Sequence, residues 1–301
     1  MEIPISVGQI DPDNLEVFRQ YRPLLFAISY RMLGSSADAE DMLQEAFIRW
    51  QRSASAAIRS PKAFLVTIIT RLCINYLRLD RMKREEYVGQ WLPEPVITEL
   101  AVDPLASSFM DESLSTGFLV LLERLTPTER AVFLLRDVFD YEYSAIAQAV
   151  KQNEGNCRQI LRRARQHVAS GHARFDASPQ QCRELLQKFL GATIHGDMQG
   201  LLSTFSQDIV LYTDGGGKVT ALMNPIHGAQ DVARAVVGAF KKFSPNDAVA
   251  QIVEINARPG IVSYLDGAPQ TVISVDVASG CLRNIYIVRN PEKLKKLPRL
   301  G

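Results

Sequence analysis

Between Lys151 and Val168 the side chains of Asn156, Arg158, Gln159, Arg162, Arg163 and Gln166 recur at spacings that gather them on one side of a helix. These are the residue types that read nucleic acid. A guanidinium matches guanine edges or phosphates, and Asn and Gln amides match adenine. Cys157, Ile160, Leu161, Ala164 and Val168 fall at i, i+3, i+4, i+7 and i+11, an apolar stripe on the other side. Asn153 can cap this helix through its side-chain oxygen. From Lys151 to Arg165 the only acid is Glu154, against Lys151, Arg158, Arg162, Arg163 and Arg165, a basic clustering typical of nucleic-acid binders. A short apolar helix over 144–150 and a turn at Lys151-Gln152 complete a helix-turn-helix whose second helix can enter a major groove. The plainer alternative is a basic, solvated face on a small helical domain.

Two further polar sets have helical spacing. Asp41, Gln44, Glu45 and Arg49 lie beside an apolar stripe of Ala39, Leu43, Ala46, Phe47 and Trp50. Arg71, Asn75 and Arg78 share one face of a later basic segment. Candidates for acid–base chemistry are His195, Asp197, Asp214 and His227, but such chemistry needs a positioned group with a tuned pKa, and spacing alone supplies neither. Asp197 is expected to cap a helix and His227 to precede one, so no catalytic residue is assigned. The four cysteines, Cys73, Cys157, Cys182 and Cys281, are far apart, which argues against a metal site or a disulfide framework. No metal or cofactor is expected.

The elements that must carry these residues change character along the chain. Helices are expected over 15–33, from a cap at Ser36 to Trp50, and over 62–84 with Pro61 in the first turn. Residues 86–112 lose helical periodicity, and Trp91-Leu92-Pro93-Glu94-Pro95 cannot lie inside a helix. Helices resume over 111–124, 127–138 and 144–150, and from Glu154. After a junction at 169–179 the pattern becomes α+β. Helices are expected over 180–194, 197–205 and 229–243, and Val/Ile-rich strands over 209–212, 249–255, 261–264, 271–277 and 282–288. Asp214-Gly215-Gly216-Gly217-Lys218 reads as a tight turn with an exposed polar tip. The 301 residues carry 47% hydrophobic and 22% charged side chains and a net charge of +1, ordinary for globular domains. No apolar run approaches the ~18 residues of a membrane span, and the N-terminus has no secretory pattern, so a reducing cytoplasm and no membrane partner are expected.

Residues 123–167 resemble region 4 of RNA polymerase sigma factors, through Leu125-Thr126-Pro127-Thr128-Glu129-Arg130 and Arg162-Arg163-Ala164-Arg165. Residues 21–85 resemble region 2, through Tyr21-Arg22-Pro23-Leu24-Leu25 and the run from Asp38 to Phe47. No region 3 separates them, as in the extracytoplasmic-function group. The C-terminal part resembles a SnoaL-like, NTF2-type cone, from Gly196-Asp197-Met198 and Asp208-Ile209-Val210. Trp91 to Pro95, Asp214 to Lys218 and Asn290-Pro291-Glu292-Lys293-Leu294 resemble three signatures of the sigma-J-like group with a fused SnoaL-like domain. The resemblance implies two all-α domains followed by an α+β domain: region 2 at 1–88, a linker at 89–112, region 4 at 113–172 and the fused domain at 178–301. It implies a DNA-binding, non-enzymatic initiation factor that needs no separate anti-sigma protein.

By the same resemblance, Asp41, Gln44, Glu45 and Arg49 dock on the clamp helices of the polymerase largest subunit, and the flap is a second polymerase contact. Arg71, Asn75 and Arg78 meet the −10 element; the family usually has Asn where Arg71 stands. Asn156, Arg158, Gln159, Arg162 and Arg163 meet the −35 element. Trp91, Pro93, Pro95, Asp214, Gly215, Gly216, Gly217, Lys218, Asn290, Pro291 and Leu294 are expected to join the fused domain to the sigma part. The fold relatives of the cone include isomerases and cyclases, so the alternative is a bifunctional protein whose cone turns over or senses a small molecule. A helix-turn-helix regulator that needs no polymerase is the other.

Overall fold

The structure, a computed structural model, describes residues 12–53, 58–85, 87–98, 112–169, 177–243 and 247–300. Main-chain contacts divide it into two compact units. Unit 1 is Met1–Arg78 with Pro127–Ala164, and unit 2 is Leu79–Thr126 with Arg165–Gly301.

Unit 1 is helical. α1 (Pro12–Leu33) pairs with α2 (Ser36–Gln51), and α3 (Pro61–Glu85) follows. Leu25, Ile28, Leu33, Leu43, Leu65 and Ile69 are buried, and the Trp50 indole donates to the Asn14 carbonyl at 2.8 Å. The cap of α2 is Ser35, not Ser36: its hydroxyl accepts from the Asp38 amide, and Ser36 is already helical and buried. α5 (Pro127–Phe133) widens into a π-helical turn at Leu134–Val138, with the Phe139 amide bonded to the Leu134 carbonyl, where the sequence suggested one regular helix. α6 (Tyr143–Val150) ends on Lys151 in the left-handed region, φ 54°. α7 (Glu154–Ala169) begins where Asn153 accepts from the Asn156 amide at 2.8 Å. Cys157, Ile160, Leu161, Ala164 and Val168 form its buried stripe, as their spacing requires.

Unit 2 is built on a six-stranded sheet in the order β2-β1-β6-β5-β4-β3. The strands are β1 (Phe205–Asp214), β2 (Ile226–His227), β3 (Val249–Ile255), β4 (Arg258–Leu265), β5 (Ala268–Ala278) and β6 (Cys281–Val288); β1 and β6 pair in parallel and the other pairs are antiparallel. The period-2 alternation of side chains gives the sheet two buried faces. One, with Ile209, Leu211, Ile261, Val275, Leu282 and Ile285, packs on α8 (Pro179–His195), α9 (Met198–Thr204) and α10 (Ala229–Phe243). The other, with Val262, Val272, Tyr286 and Val288, packs on Leu92 of the linker and on Leu294 and Leu297, around the short α11 (Pro291–Leu294).

The helix expected over 111–124 is shorter. A 3-10 turn at Glu112–Leu114 is followed by α4 (Thr116–Leu122), because the Ser115 hydroxyl accepts from the Phe118 amide and starts a new helix. α4 lies on β5 and β6 in unit 2. Gly117 sits against the Asp276 carboxylate so closely that an added Cβ would lie 2.4 Å from both oxygens.

Candidate functional site

The recognition face of α7 follows from its cap and its stripe. Because the apolar residues are buried, Arg158, Gln159, Arg162 and Arg163 are exposed, and Asn156 is half-buried. They are not equivalent. Arg158 pairs with Glu154 at 2.9 Å and lies over the Tyr143 ring, 4.7 Å from its centroid. Asn156 donates to the Gln152 side chain at 2.7 Å. These contacts hold two side chains in fixed directions. Arg162 and Arg163 are exposed and have no ion pair among the described residues.

On α2, Asp41, Gln44 and Arg49 are exposed and Glu45 is half-buried, bonded to Arg49 Nε at 2.8 Å. The four form one polar face beside the buried Leu43, Ala46 and Trp50.

The face of α3 is partly occupied within unit 1. The Arg71 guanidinium donates to the Gln148 carbonyl at 2.7 Å and to the Ala149 carbonyl at 3.1 Å. These carbonyls belong to the last turn of α6, which lacks helical partners and carries the negative end of the helix dipole. Arg78 reaches the Thr128 hydroxyl at 3.4 Å, and Asn75 is exposed.

The three signature segments meet inside unit 2 at Asp214. Its side chain is wholly buried rather than exposed at a tip: it ends β1, Gly216 is half-buried, and Gly217 and Lys218 are the exposed residues of the turn. Its carboxylate accepts from the Tyr87 hydroxyl at 2.6 Å, the Gly216 amide at 3.0 Å, the Leu92 amide at 2.9 Å and Lys293 Nζ at 2.7 Å. Lys293 also donates to the Leu92 carbonyl and lies 4.3 Å from the centre of the Trp91 ring. Asn290 bonds to the Tyr87 hydroxyl at 3.0 Å, and Leu294 is buried whereas Pro291 is exposed. Lys218 pairs with Glu292, whose carboxyl is held below its usual range by that partner. Burial and the Asp214 carboxylate push the Tyr87 phenol well above its ordinary pKa.

The turn requires its glycines for two reasons. Gly216 has φ +59°, and a Cβ there would meet the Asn290 amide; at Gly215 the obstacle is the Val219 carbonyl, 2.4 Å away. Trp91 is half-buried, and Pro93 and Pro95 are buried. Beyond them the linker joins the sheet at the end of β3. Val96 donates to Asn256 Oδ1 and accepts from the Asn256 amide, both at 2.8 Å, and Ile97 bridges to Ile255.

Tyr87, Asn256, Gly117 and Asp276 were not singled out in the sequence. Asp276 is buried among Tyr286 (2.7 Å), Asn284 (2.9 Å) and Gly117, and burial raises its pKa. An Asp within a strand of Val and Ile was the available signal for it. The other candidate acid–base groups do not converge. Asp197 caps α9 through the Gly200 amide at 2.9 Å, His195 is exposed on its own helix carbonyl at 2.8 Å, and His227 is exposed on β2. Among the described residues no three His, Cys, Asp or Glu side chains cluster as metal ligands, and no helix is long and apolar enough to cross a membrane.

Comparison with known proteins defines the class first. Residues 17–82 match the family model for Sigma-70 region 2, and residues 117–168 match that for Sigma-70, region 4. The chain is 32% identical to the ECF RNA polymerase sigma factor SigJ of Mycobacterium tuberculosis, over 96% of this chain and 95% of that protein. The crystal structure of the same SigJ superposes with a TM-score of 0.77 at 30% identity, covering 93% of this chain and 98% of that one. SigG of that organism is 27% identical over 81% of this chain and 71% of its own length. The protein therefore belongs to the ECF RNA polymerase sigma factors.

Proposed function

We propose that this chain binds core RNA polymerase through α2 and directs it to promoters by two DNA contacts. Asp41, Gln44, Glu45 and Arg49 meet the polymerase clamp, and the flap is a further contact. Asn75 and Arg78, with Arg71 once it is free, meet the −10 element. Asn156, Arg158, Gln159, Arg162 and Arg163 meet the −35 element. Residues 1–88 act as region 2 and 113–172 as region 4. The α+β part from residue 178 tunes their activity in cis and carries out no chemistry of its own, so that no separate anti-sigma protein is needed. The protein works in the cytoplasm.

The observation that carries this reading is the exposed cationic face of α7, opposite a fully buried stripe, in a chain that also presents the polar face of α2. The cis arm rests on Asp214, whose carboxylate ties Tyr87, at the end of region 2, and Leu92 of the linker to the end of β1 and to Lys293. Transcription in vitro with purified core polymerase on a promoter library tests the whole. The expected result is a set of transcripts that share upstream elements and vanish without the protein; core polymerase that gains no promoter selectivity overturns it. Arg162→Ala and Arg163→Ala then separate the contacts. Loss of a base contact costs ~1–3 kcal/mol at one position, whereas loss of a phosphate contact weakens all sequences and lowers the salt slope.

A further inference from the structure

Beyond Asp214 the linker meets the sheet a second time, at the turn between β3 and β4. Among the described residues three two-residue turns join consecutive strands: Asn256-Ala257, Asp266-Gly267 and Ser279-Gly280. In each, both residues have positive φ, a conformation whose twist matches that of the flanking strands. Gly267 and Gly280, at φ 71° and 76°, adopt it without a Cβ. Ala257, at φ 59°, stands where the other two turns have glycine. There an L-residue brings its Cβ against the following carbonyl, whereas an asparagine such as Asn256 visits this region more readily. The strain of the β3–β4 turn therefore lies at Ala257.

The strained turn is also the one that the linker holds. The hairpin closes at Ile255 and Arg258, so the amides of the two central residues need acceptors from outside it. The linker supplies both. The Asn256 amide donates to the Val96 carbonyl at 2.8 Å, and the Ala257 amide donates to the Thr98 hydroxyl oxygen at 3.2 Å. In return the Val96 amide donates to Asn256 Oδ1 at 2.8 Å, and Thr98 donates from its amide to the Glu254 carbonyl at 3.0 Å and from its hydroxyl to the Glu254 carboxylate. Asn256 and Thr98 are buried by this contact. The other turns are engaged differently: the Gly267 carbonyl accepts from the Leu300 amide at 2.9 Å, and a Cβ added at Gly280 would have no atom within 4 Å.

We propose that the β3–β4 turn is a strained clasp for the linker. Docking of residues 96–98 holds Ala257 in the left-handed region; when they leave, the turn relaxes and withdraws the two amides that they had bonded. Strain of this kind persists only while its surroundings over-determine the backbone, and here the surroundings are the linker itself. The docked fraction is thereby lower than the hydrogen bonds alone would make it, and the conformation of the turn and the position of the linker are one equilibrium. At Asp214 the same linker meets a buried charge; at Ala257 it meets a spring.

Hydrogen exchange on the full chain tests the coupling and needs neither polymerase nor DNA. Ala257→Gly removes the strain of the docked state and is expected to slow exchange of the Val96 and Thr98 amides by about fivefold. Gly280→Ala puts comparable strain into the β5–β6 turn, and is expected to lower the urea midpoint while leaving those two amides unchanged. Unchanged exchange in Ala257→Gly, or a shift of the same size with Gly280→Ala, overturns the proposal, because the strain would then be the same whether the linker is docked or not. Thr98→Val approaches from the other side. It removes the acceptor of the Ala257 amide at nearly constant side-chain volume. A second Ala257 amide signal, from the relaxed turn, is expected in the NMR spectrum at several-fold the population found in the unaltered chain. Faster exchange at Val96 with an unaltered Ala257 signal would mean that the turn keeps its shape unaided, and would sink the idea. The consequence for transcription rests on the cis reading above: Ala257→Gly should change promoter output several-fold. Slowed exchange with unaltered output refutes that reading and leaves the clasp standing.

Discussion

Each of the two units is held internally by different electrostatic contacts. In unit 1, guanidinium groups bond to neutral carbonyls; Arg130 does so from a buried position, whereas Arg71 stays half-exposed. In unit 2, a buried carboxylate is surrounded by four donors, one of them the Lys293 ammonium, and Asp214 has no exposure. Water can replace the half-exposed Arg71 contact. It cannot replace those of Asp214 without first reaching a desolvated charge. The difference separates a contact that solvent can exchange from one that it cannot.

The largest way to break this contrast is Asp214→Ala. It leaves the Lys293 ammonium, the Tyr87 hydroxyl and the Leu92 amide without their acceptor, and removing one member of a buried pair costs ~3–5 kcal/mol. Urea unfolding should show that loss, and hydrogen exchange should show faster opening across 87–98. Arg71→Ala, by contrast, should change the same unfolding curve by no more than ~1 kcal/mol. A loss as large as that of Asp214→Ala would abolish the distinction between the units.

Gly117→Ala sharpens the picture because two rules disagree on its sign. Helix propensity favours Ala over Gly by ~1 kcal/mol. The Asp276 oxygens, 2.4 Å from the added Cβ, cost more, and a net destabilisation of ~1–2 kcal/mol is expected. A stabilised variant would mean that α4 can shift on the sheet without loss. In unit 1, Asn153→Ala removes the cap of α7 and should cost ~1 kcal/mol, read by thermal unfolding.

The smallest effect is a pH slope. Burial raises the pKa of Asp276 in the folded protein, so the native state keeps a proton that the unfolded chain releases. This contribution is fully present below the ordinary carboxylate range and is lost as pH rises through the folded value. The stability of unit 2 should decline upward from that range, and Asp276→Asn should flatten the decline. An equal slope in both proteins would assign it to other groups.

What could be read in the sequence was what is local. The stripe of α7 and its Asn153 cap depend on residues at most eleven apart, and they stand as their spacing requires. The bounds of α10 do as well, since Ala229–Phe243 is amphipathic along its length. The cap of α2 was off by one because Ser35 and Ser36 are both competent, and only backbone geometry chooses between them. The π-turn after Phe133 and the restart of α4 at Ser115 interrupt otherwise regular patterns. The three signatures were visible as strings, but their meeting at Asp214 was not. A buried aspartate and an exposed turn aspartate read alike, and the partners that distinguish them lie 79, 122 and 127 residues away.

That separation also has a meaning in time. Asn290 meets Tyr87 across 203 residues of chain. At ~5–20 residues per second, synthesis takes ~10–40 s to travel that far. The segments of unit 1 are complete at Ala164, long before Lys293 exists. Every newly made molecule thus passes through an interval in which the helices of unit 1 can fold while the linker has nothing to bind. The long-range pairing with Asp214 makes the age of the molecule, as well as its sequence, a determinant of whether the linker is held.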